Sequence, residues 1–297
     1  MTTLFQGSGV AIVTPFHADG SVNFKKLEEL IDWQIRSKTD AIIICGTTGE
    51  ASTLDDEEHL ACIRSAVEVT NKRVPVIAGT GSNDTKHGIH LSKEAQRLGA
   101  DGLLQVTPYY NKCTQNGLIQ HFSAIAATVD LPIMLYNVPS RTGMNITPKT
   151  IASLSQIDNI VALKEASGNI SQVAEIAQLT QGKIDLYSGN DDQIVPILSL
   201  GGKGVVSVVA NILPTQTHDL VMHYLEGRCK ESLDLQLRML NVINNLFTET
   251  NPIPVKAAMN LMGLDVGSLR LPLTDMESDT LARLRQAMTD YGIEVTL

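Results

Sequence analysis

Lys164 is set apart from the other lysines of this chain by its surroundings. Of thirteen lysines it alone sits inside an apolar strand-like run, Ile160-Val161-Ala162-Leu163-Lys164-Glu165-Ala166-Ser167. A charged amine buried there without a partner costs several kcal/mol. Two readings follow. Lys164 makes an ordinary ion pair, with Glu165 or Glu50, or it is a neutral amine that forms an imine with a carbonyl substrate. At a pKa of about 10.4 only about one lysine in a thousand is neutral near pH 7.4. Burial that lowers the pKa by about 3 pH units, roughly 4 kcal/mol, removes that limit. Tyr136 lies 28 residues earlier, near the end of another apolar run. A phenol at that place can carry protons to and from a carbinolamine. Its alternative is a packing tyrosine with the hydroxyl at the surface.

Three further groups could bind charge. Gly46-Thr47-Thr48-Gly49 offers backbone amides and two hydroxyls in a turn before a helix, which suits a carboxylate. The same residues can be no more than a tight strand-to-helix connection. Arg141 presents a planar fork suited to a second carboxylate, or it is a solvated loop arginine. Tyr109-Tyr110 reads as a surface patch or a contact between subunits. The remaining motifs are weak. Gly201-Gly202-Lys203-Gly204 precedes a strand and lacks P-loop spacing, and Gly79-Thr80-Gly81 is too short for a dinucleotide fingerprint. His87 and His90 lack companions for a metal site and read as a solvated helix face.

These residues need elements to position them. Apolar, β-branched runs occur at Val10–Phe16, Asp40–Thr47, Val74–Gly81, Gly102–Pro108, Leu131–Pro139, Ile160–Ser167, Ile184–Asp191 and Gly204–Asn211. Their starts are 30, 34, 28, 29, 29, 24 and 20 residues apart, the period of a strand, a helix and a return. Near-continuous runs such as Ala41-Ile42-Ile43-Ile44-Cys45 suit strands buried on both faces of a parallel sheet. Between them Phe24, Leu27, Ile31 and Ile35 form one helical stripe. Thr53 precedes an acidic first turn, Gly99 suits a helix C-terminus, and Pro148 suits a first turn. Eight such units predict an α/β fold, a (β/α)₈ TIM barrel over residues 1–227, rather than an open doubly wound sheet. Only helical periodicity follows, at Leu233–Phe247, Val255–Met262 and Met276–Tyr291, which predicts a C-terminal helical region over 228–297 packed with the barrel as one body. In a barrel the strand ends at one face carry the chemistry, and the polar residues above cluster at such ends.

Composition narrows the function classes. The chain is 43% hydrophobic and 19% charged, enough apolar material for a large core. Its net charge of −9 does not suit a strong polyanion binder, which needs clustered Lys and Arg to neutralise phosphates. No apolar run approaches the length of a membrane span, and Met1–Gln6 lacks the basic start of a secretory signal. Cys45, Cys62, Cys113 and Cys229 are scattered without paired spacing, as expected of reduced thiols in a cytoplasmic protein.

Together the motifs resemble those of the dihydrodipicolinate synthase family, within the pyruvate-dependent class I aldolases. The resemblance is carried by Gly46-Thr47-Thr48-Gly49-Glu50, Pro108-Tyr109-Tyr110-Asn111-Lys112, Tyr136-Asn137-Val138-Pro139-Ser140-Arg141-Thr142-Gly143, Lys164-Glu165-Ala166-Ser167-Gly168, Ser188-Gly189-Asn190-Asp191 and Asn251-Pro252-Ile253-Pro254-Val255-Lys256. They span nearly the whole chain, in order. The resemblance implies that Lys164 forms a Schiff base with pyruvate and that Tyr136 relays protons. It implies that Thr47 links Tyr136 to Tyr110, a tyrosine that in this family reaches in from a neighbouring subunit. Thr48 would hold the pyruvate carboxylate, Arg141 the carboxylate of aspartate semialdehyde, and Gly189 and Val206 would line the site through their backbone. It further implies a homotetramer, built as a dimer of dimers, and no metal or organic cofactor.

Two departures from the family pattern stand out. Cys113 replaces a frequent proline in the loop that carries Tyr110. In members inhibited by lysine, the effector pocket uses two histidines and a glutamate on the third helix. The matching positions here hold Asp56, His59 and His87, while Asn83 and Tyr109 are kept. An imidazole cannot supply the charge that glutamate offers a lysine ammonium, so lysine inhibition is expected to be weak or absent. Rival functions are N-acetylneuraminate lyase or a 2-keto-3-deoxy sugar acid aldolase of the same superfamily, and a non-catalytic keto-acid sensor. Arg141 speaks against the first two, and the intact set of Lys164, Tyr136, Thr47 and Tyr110 speaks against the third.

Overall fold

The computed structural model describes residues 3–296. Eight short parallel strands close on themselves: β1 (Gly7–Ala11), β2 (Ala41–Ile44), β3 (Val76–Gly79), β4 (Gly102–Val106), β5 (Ile133–Asn137), β6 (Ile160–Glu165), β7 (Asp185–Ser188) and β8 (Gly204–Ser207). Each pairs with its neighbours in sequence, and β8 returns to β1 through Gly7↔Gly204 to Val10↔Ser207. The seam requires glycine, because a Cβ on Gly204 would lie 2.0 Å from the Gly7 carbonyl oxygen. The molecule is thus a TIM barrel, as the strand period predicted.

The outer ring is α1 (Phe24–Arg36), α2 (Asp56–Thr70), α3 (Thr85–Leu98), α4 (Gln115–Ala126), α5 (Pro139–Thr142), α6 (Pro148–Leu154), α7 (Ile170–Thr180), α8 (Ile194–Ser199) and α9 (Pro214–Leu225). α3 runs from an Asp84 cap, whose side chain accepts from the Lys86 N–H, to left-handed Gly99. Pro148 opens α6 behind a Thr147 cap. α10 (Cys229–Asn245), α11 (Ile253–Leu261) and α12 (Ser278–Tyr291) follow. Among the described residues no helix is long and apolar enough to cross a membrane.

Most expected boundaries shift by a few residues, and three of the shifts have a clear local cause. β1 begins at Gly7 rather than Val10, because Gly7, Ser8 and Gly9 are recruited by pairing to β8 and carry no apolar signal. α2 is capped by Asp55, whose side chain accepts from the Glu58 N–H, and Thr53 instead ends a short 3₁₀ turn. α10 starts at Cys229, before its apolar stripe, because its first turn is mostly solvent-facing.

The core has two parts. One lies between strands and helices. The other fills the barrel with side chains such as Ile43, Ile77, Met134, Tyr136, Ala162 and Val206. Phe5 plugs the interior against Tyr187, with ring centroids 4.6 Å apart and the phenol donating to the Phe5 carbonyl at 2.6 Å. The interior is therefore solid below the level of the lysine, and a ligand can reach it only from the C-terminal strand ends.

Candidate active site

Strand register decides which polar residues meet. Tyr136 and Lys164 are Cα partners across β5 and β6, and their side chains both point inward. Lys164 Nζ stands 4.0 Å from the centroid of the Tyr136 ring. Lys164 is only 6% exposed. Burial lowers its pKa to about 7, with the nearby Arg141 pushing the same way and the Asp191 carboxylate opposing.

Neither carboxylate proposed as an ion-pair partner is available. Glu165 faces the other side of its strand, where it accepts from the Asn137 side chain at 3.1 Å and the Ser167 N–H at 2.6 Å. Glu50 pairs with Lys256 Nζ at 2.7 Å. Among the described residues no ion pair to Lys164 forms within 4.0 Å. The ordinary ion-pair reading of Lys164 therefore fails on geometry.

Burial pushes the Tyr136 phenol up to about 12, against smaller opposing effects of Arg141 and of the Thr47 hydroxyl beside it. Thr47, Tyr136, Arg141 and Lys164 all line a cavity of about 690 Å³ at the barrel mouth. Gly189 forms its wall next to the lysine. A Cβ there would lie 3.1 Å from Lys164 Cε and 2.8 Å from Ala166 Cβ, so glycine leaves the lysine its room. The turn after β2 is held by Gly49 N–H to Gly46 O and Glu50 N–H to Thr47 O, both 3.1 Å. The Thr47 and Thr48 N–H groups are left without an acceptor among the bonds of this turn, and both residues face the cavity. Free amides beside a helix approach suit an anion.

Arg141 sits on α5, a one-turn helix between Pro139 and left-handed Gly143 that the sequence pattern did not predict. Its Nη2 donates to the Asn251 carbonyl at 2.9 Å. Asn251 Nδ2 in turn donates to Thr48 Oγ1 at 2.9 Å. The stretch from Phe247 to Asn251 thus walls the cavity from the C-terminal region.

Not all candidates converge. Val206 is buried inside the barrel, and Val208 lines the cavity on that side. Tyr110 points into solvent, 91% exposed, with a left-handed backbone (φ 69°). A second cavity of about 320 Å³ shares Thr47, Tyr136 and Arg141 with the first and extends to Asp56, His59, His87 and Tyr109. There Asp56 is engaged by His87 Nε2 at 2.9 Å. His87 and His90 lie on a solvent-exposed helix face, as expected, and His90 Nε2 lies 3.9 Å from the same Asp56. His59 Nε2 donates to the Gly79 carbonyl at 2.8 Å, and burial lowers its pKa, which keeps it neutral. Asn83 donates to the Tyr109 carbonyl at 3.1 Å.

Sequence reasoning assigned no role to Asp191, Asn251 or Lys256, although all three lie inside the quoted motifs, and it offered Glu50 only as a partner for Lys164. Asp191 is buried beneath the lysine wall and accepts from the Val208 and Val209 N–H groups at 3.0 and 2.8 Å. Burial raises its pKa. Lys256 is 1% exposed, more buried than Lys164, and was hidden because it lies on a helix rather than in a strand run.

Known proteins resemble this chain over nearly its full length. Residues 4–291 match the Dihydrodipicolinate synthetase family. The 4-hydroxy-tetrahydrodipicolinate synthase of Lachnoclostridium phytofermentans is 64% identical over 291 residues, 98% of this chain and 99% of that protein. The dihydrodipicolinate synthase of Acinetobacter baumannii, solved in complex with pyruvate, superposes with a TM-score of 0.96 at 46% identity, covering 98% of this chain and 100% of that one. The enzyme of Cyanidioschyzon merolae, solved with lysine bound, gives 0.95 at 43% identity, covering 98% and 100%. By its motifs, its barrel and these relatives, the chain belongs to the dihydrodipicolinate synthetase family.

Proposed function

We propose that this chain condenses pyruvate with L-aspartate 4-semialdehyde to give 4-hydroxy-tetrahydrodipicolinate, the first committed step of the diaminopimelate and lysine pathway. The observation that carries the reading is a buried lysine of lowered pKa, free of any ion pair, with its amine over the ring of Tyr136. The neutral Nζ of Lys164 adds to the C2 carbonyl of pyruvate. Tyr136, fully protonated at neutral pH, delivers the proton with which the carbinolamine oxygen leaves as water. The protonated imine withdraws electrons from C3, which loses a proton and becomes an enamine. Enamine carbon attacks the aldehyde, and the amine of the second substrate then attacks the imine carbon, closes the ring and releases Lys164. Thr48 and the free amides of its turn receive the pyruvate carboxylate, and the Arg141 guanidinium receives that of the semialdehyde. No metal or organic cofactor takes part.

The test is turnover of pyruvate with aspartate semialdehyde, coupled to the NADPH-dependent reductase that consumes the product. Wild type turns over, and Lys164→Ala falls to the blank. Folded wild type without turnover would sink the reading, and cleavage of sugar acids would be assayed next.

The chain works as a cytoplasmic homotetramer in this reading, supported by the outward-facing Tyr110. Residues 228–297 act with the barrel as one body, supported by the contact of Asn251 with Thr48. Lysine inhibits weakly or not at all. The carboxylate of the second cavity belongs to Asp56 and is already held by His87, so a lysine ammonium would have to displace an imidazole. Unchanged rates at micromolar lysine are expected, and half-inhibition in that range would contradict the expectation.

A further inference from the structure

Glu50 and Lys256 form an ion pair that the reaction itself does not use. Their side chains are 0% and 1% exposed, and Nζ lies 2.7 Å from Oε1. Glu50 follows the Thr47-Thr48-Gly49 turn directly and holds a left-handed backbone (φ 54°, ψ 34°), a conformation that costs a non-glycine residue energy. Its N–H donates to the Thr47 carbonyl at 3.1 Å, so any tilt of Glu50 moves Thr47. The second carboxylate oxygen accepts from the Arg270 N–H at 3.1 Å. Lys256 also donates to the Ser268 carbonyl at 2.8 Å, and its amine lies 4.2 Å from the Phe16 ring centroid. Both charges are therefore fixed in direction as well as in distance.

We propose that the buried Glu50–Lys256 pair holds the Thr47–Thr48 turn in the shape that receives the pyruvate carboxylate, which makes Lys256, on a helix outside the barrel, a positioning residue for substrate binding. A well-packed apolar pair would join α11 to the barrel at no loss of stability, since buried ion pairs commonly just offset their desolvation. What an apolar pair cannot do is fix the direction of a carboxylate whose own backbone is strained. Ionic bonding from outside supplies that restraint, and the groups it restrains are the Thr48 hydroxyl and the free amides of Thr47 and Thr48. Burial pushes the Lys256 amine down, and the Glu50 carboxylate opposes this.

The inference rests on the reading that this turn binds pyruvate, so the experiment tests the two separately. Glu50→Gln/Lys256→Met removes both charges while Gln keeps an acceptor for the Arg270 N–H. The expected result is a folded protein with a thermal midpoint near wild type, a KM for pyruvate raised about tenfold, and an unchanged KM for aspartate semialdehyde. A folded double variant with wild-type KM for pyruvate overturns the proposal. Thr48→Ala is measured alongside. If it leaves the KM for pyruvate unchanged, the reading of the turn falls and the proposal falls with it. If Thr48→Ala raises that KM and the double variant does not, only the role of the ion pair is refuted. Should the double variant fail to fold, Lys256→Arg keeps the charge and displaces it. A raised KM for pyruvate then supports the proposal, and an unchanged one overturns it.

Discussion

An amine that is half neutral near pH 7 must be kept from carboxylates, and the structure shows how this is done at Lys164. Glu165 is turned outward to Asn137 and Ser167, and Glu50 is taken by Lys256. The remaining acid, Asp191, binds two backbone amides and opposes the loss of charge without abolishing it. In the proposed reaction only the deprotonated Lys164 amine adds to pyruvate, so with its pKa at about 7 kcat/KM for pyruvate should rise as pH increases through about 7 and level off above it. A flat profile between pH 6 and 9 would contradict this. The same shift penalises folding. Unfolded lysine titrates near 10.4, so below about pH 7 the folded state carries the full penalty, on the order of 4 kcal/mol. The penalty shrinks as pH rises from 7 to 10, where the unfolded chain gives up its extra proton. Lys164→Met should therefore be more stable than wild type at pH 7 by denaturant titration, with the gap closing toward pH 10. Instability in the active protein is the counterpart of reactivity here.

Elements decide which side chains meet. The registers Tyr136↔Lys164 and Asn137↔Glu165 place Tyr136 and Lys164 inside the barrel and a polar pair outside it. One residue of slip would exchange them. The loop before α11 adds a contact that no strand supplies. Asn251 donates to Thr48 Oγ1 through its side chain and accepts from Arg141 through its carbonyl. Asn251→Ala removes the first and keeps the second. It should raise the KM for pyruvate about five- to tenfold, the worth of one hydrogen bond, while the KM for aspartate semialdehyde stays near wild type. Equal changes in both constants would show that the two bonds are not separable. The short helix α5, which aims Arg141, was invisible to periodicity because four residues make no stripe. Its Pro139 and Gly143, at the two ends, were the only local signals.

At the scale of the molecule, one candidate stands apart from its own site. Tyr110 is 91% exposed while Thr47 and Tyr136 line the cavity. If Tyr110 completes the site of a neighbouring copy, Tyr110→Phe should lower turnover without altering the thermal midpoint. Co-expressing Tyr110→Phe with Lys164→Ala should then restore activity, because a mixed pair holds one site with both intact residues. No restoration from co-purified mixed oligomers would refute the arrangement.

Strand count, strand period and the lysine within an apolar run were determined by the sequence itself, because burial on both faces demands continuous apolar residues and any exception is conspicuous. Lys164 was legible for that reason, Tyr136 by its place one strand-and-helix unit earlier, and the turn with Thr47 and Thr48 by its place at a strand end. Tertiary structure alone decided which acid faces which base. Glu50 and Glu165 were equal candidates along the chain, and only closure of the barrel and docking of α11 sent one to Lys256 and the other to Asn137. Lys256 and Asn251 stayed hidden for the same cause: each lies about 200 residues from the group it holds, at separations of 206 and 203. A linear pattern records what a residue must be buried against in kind, and folding alone sets the partner.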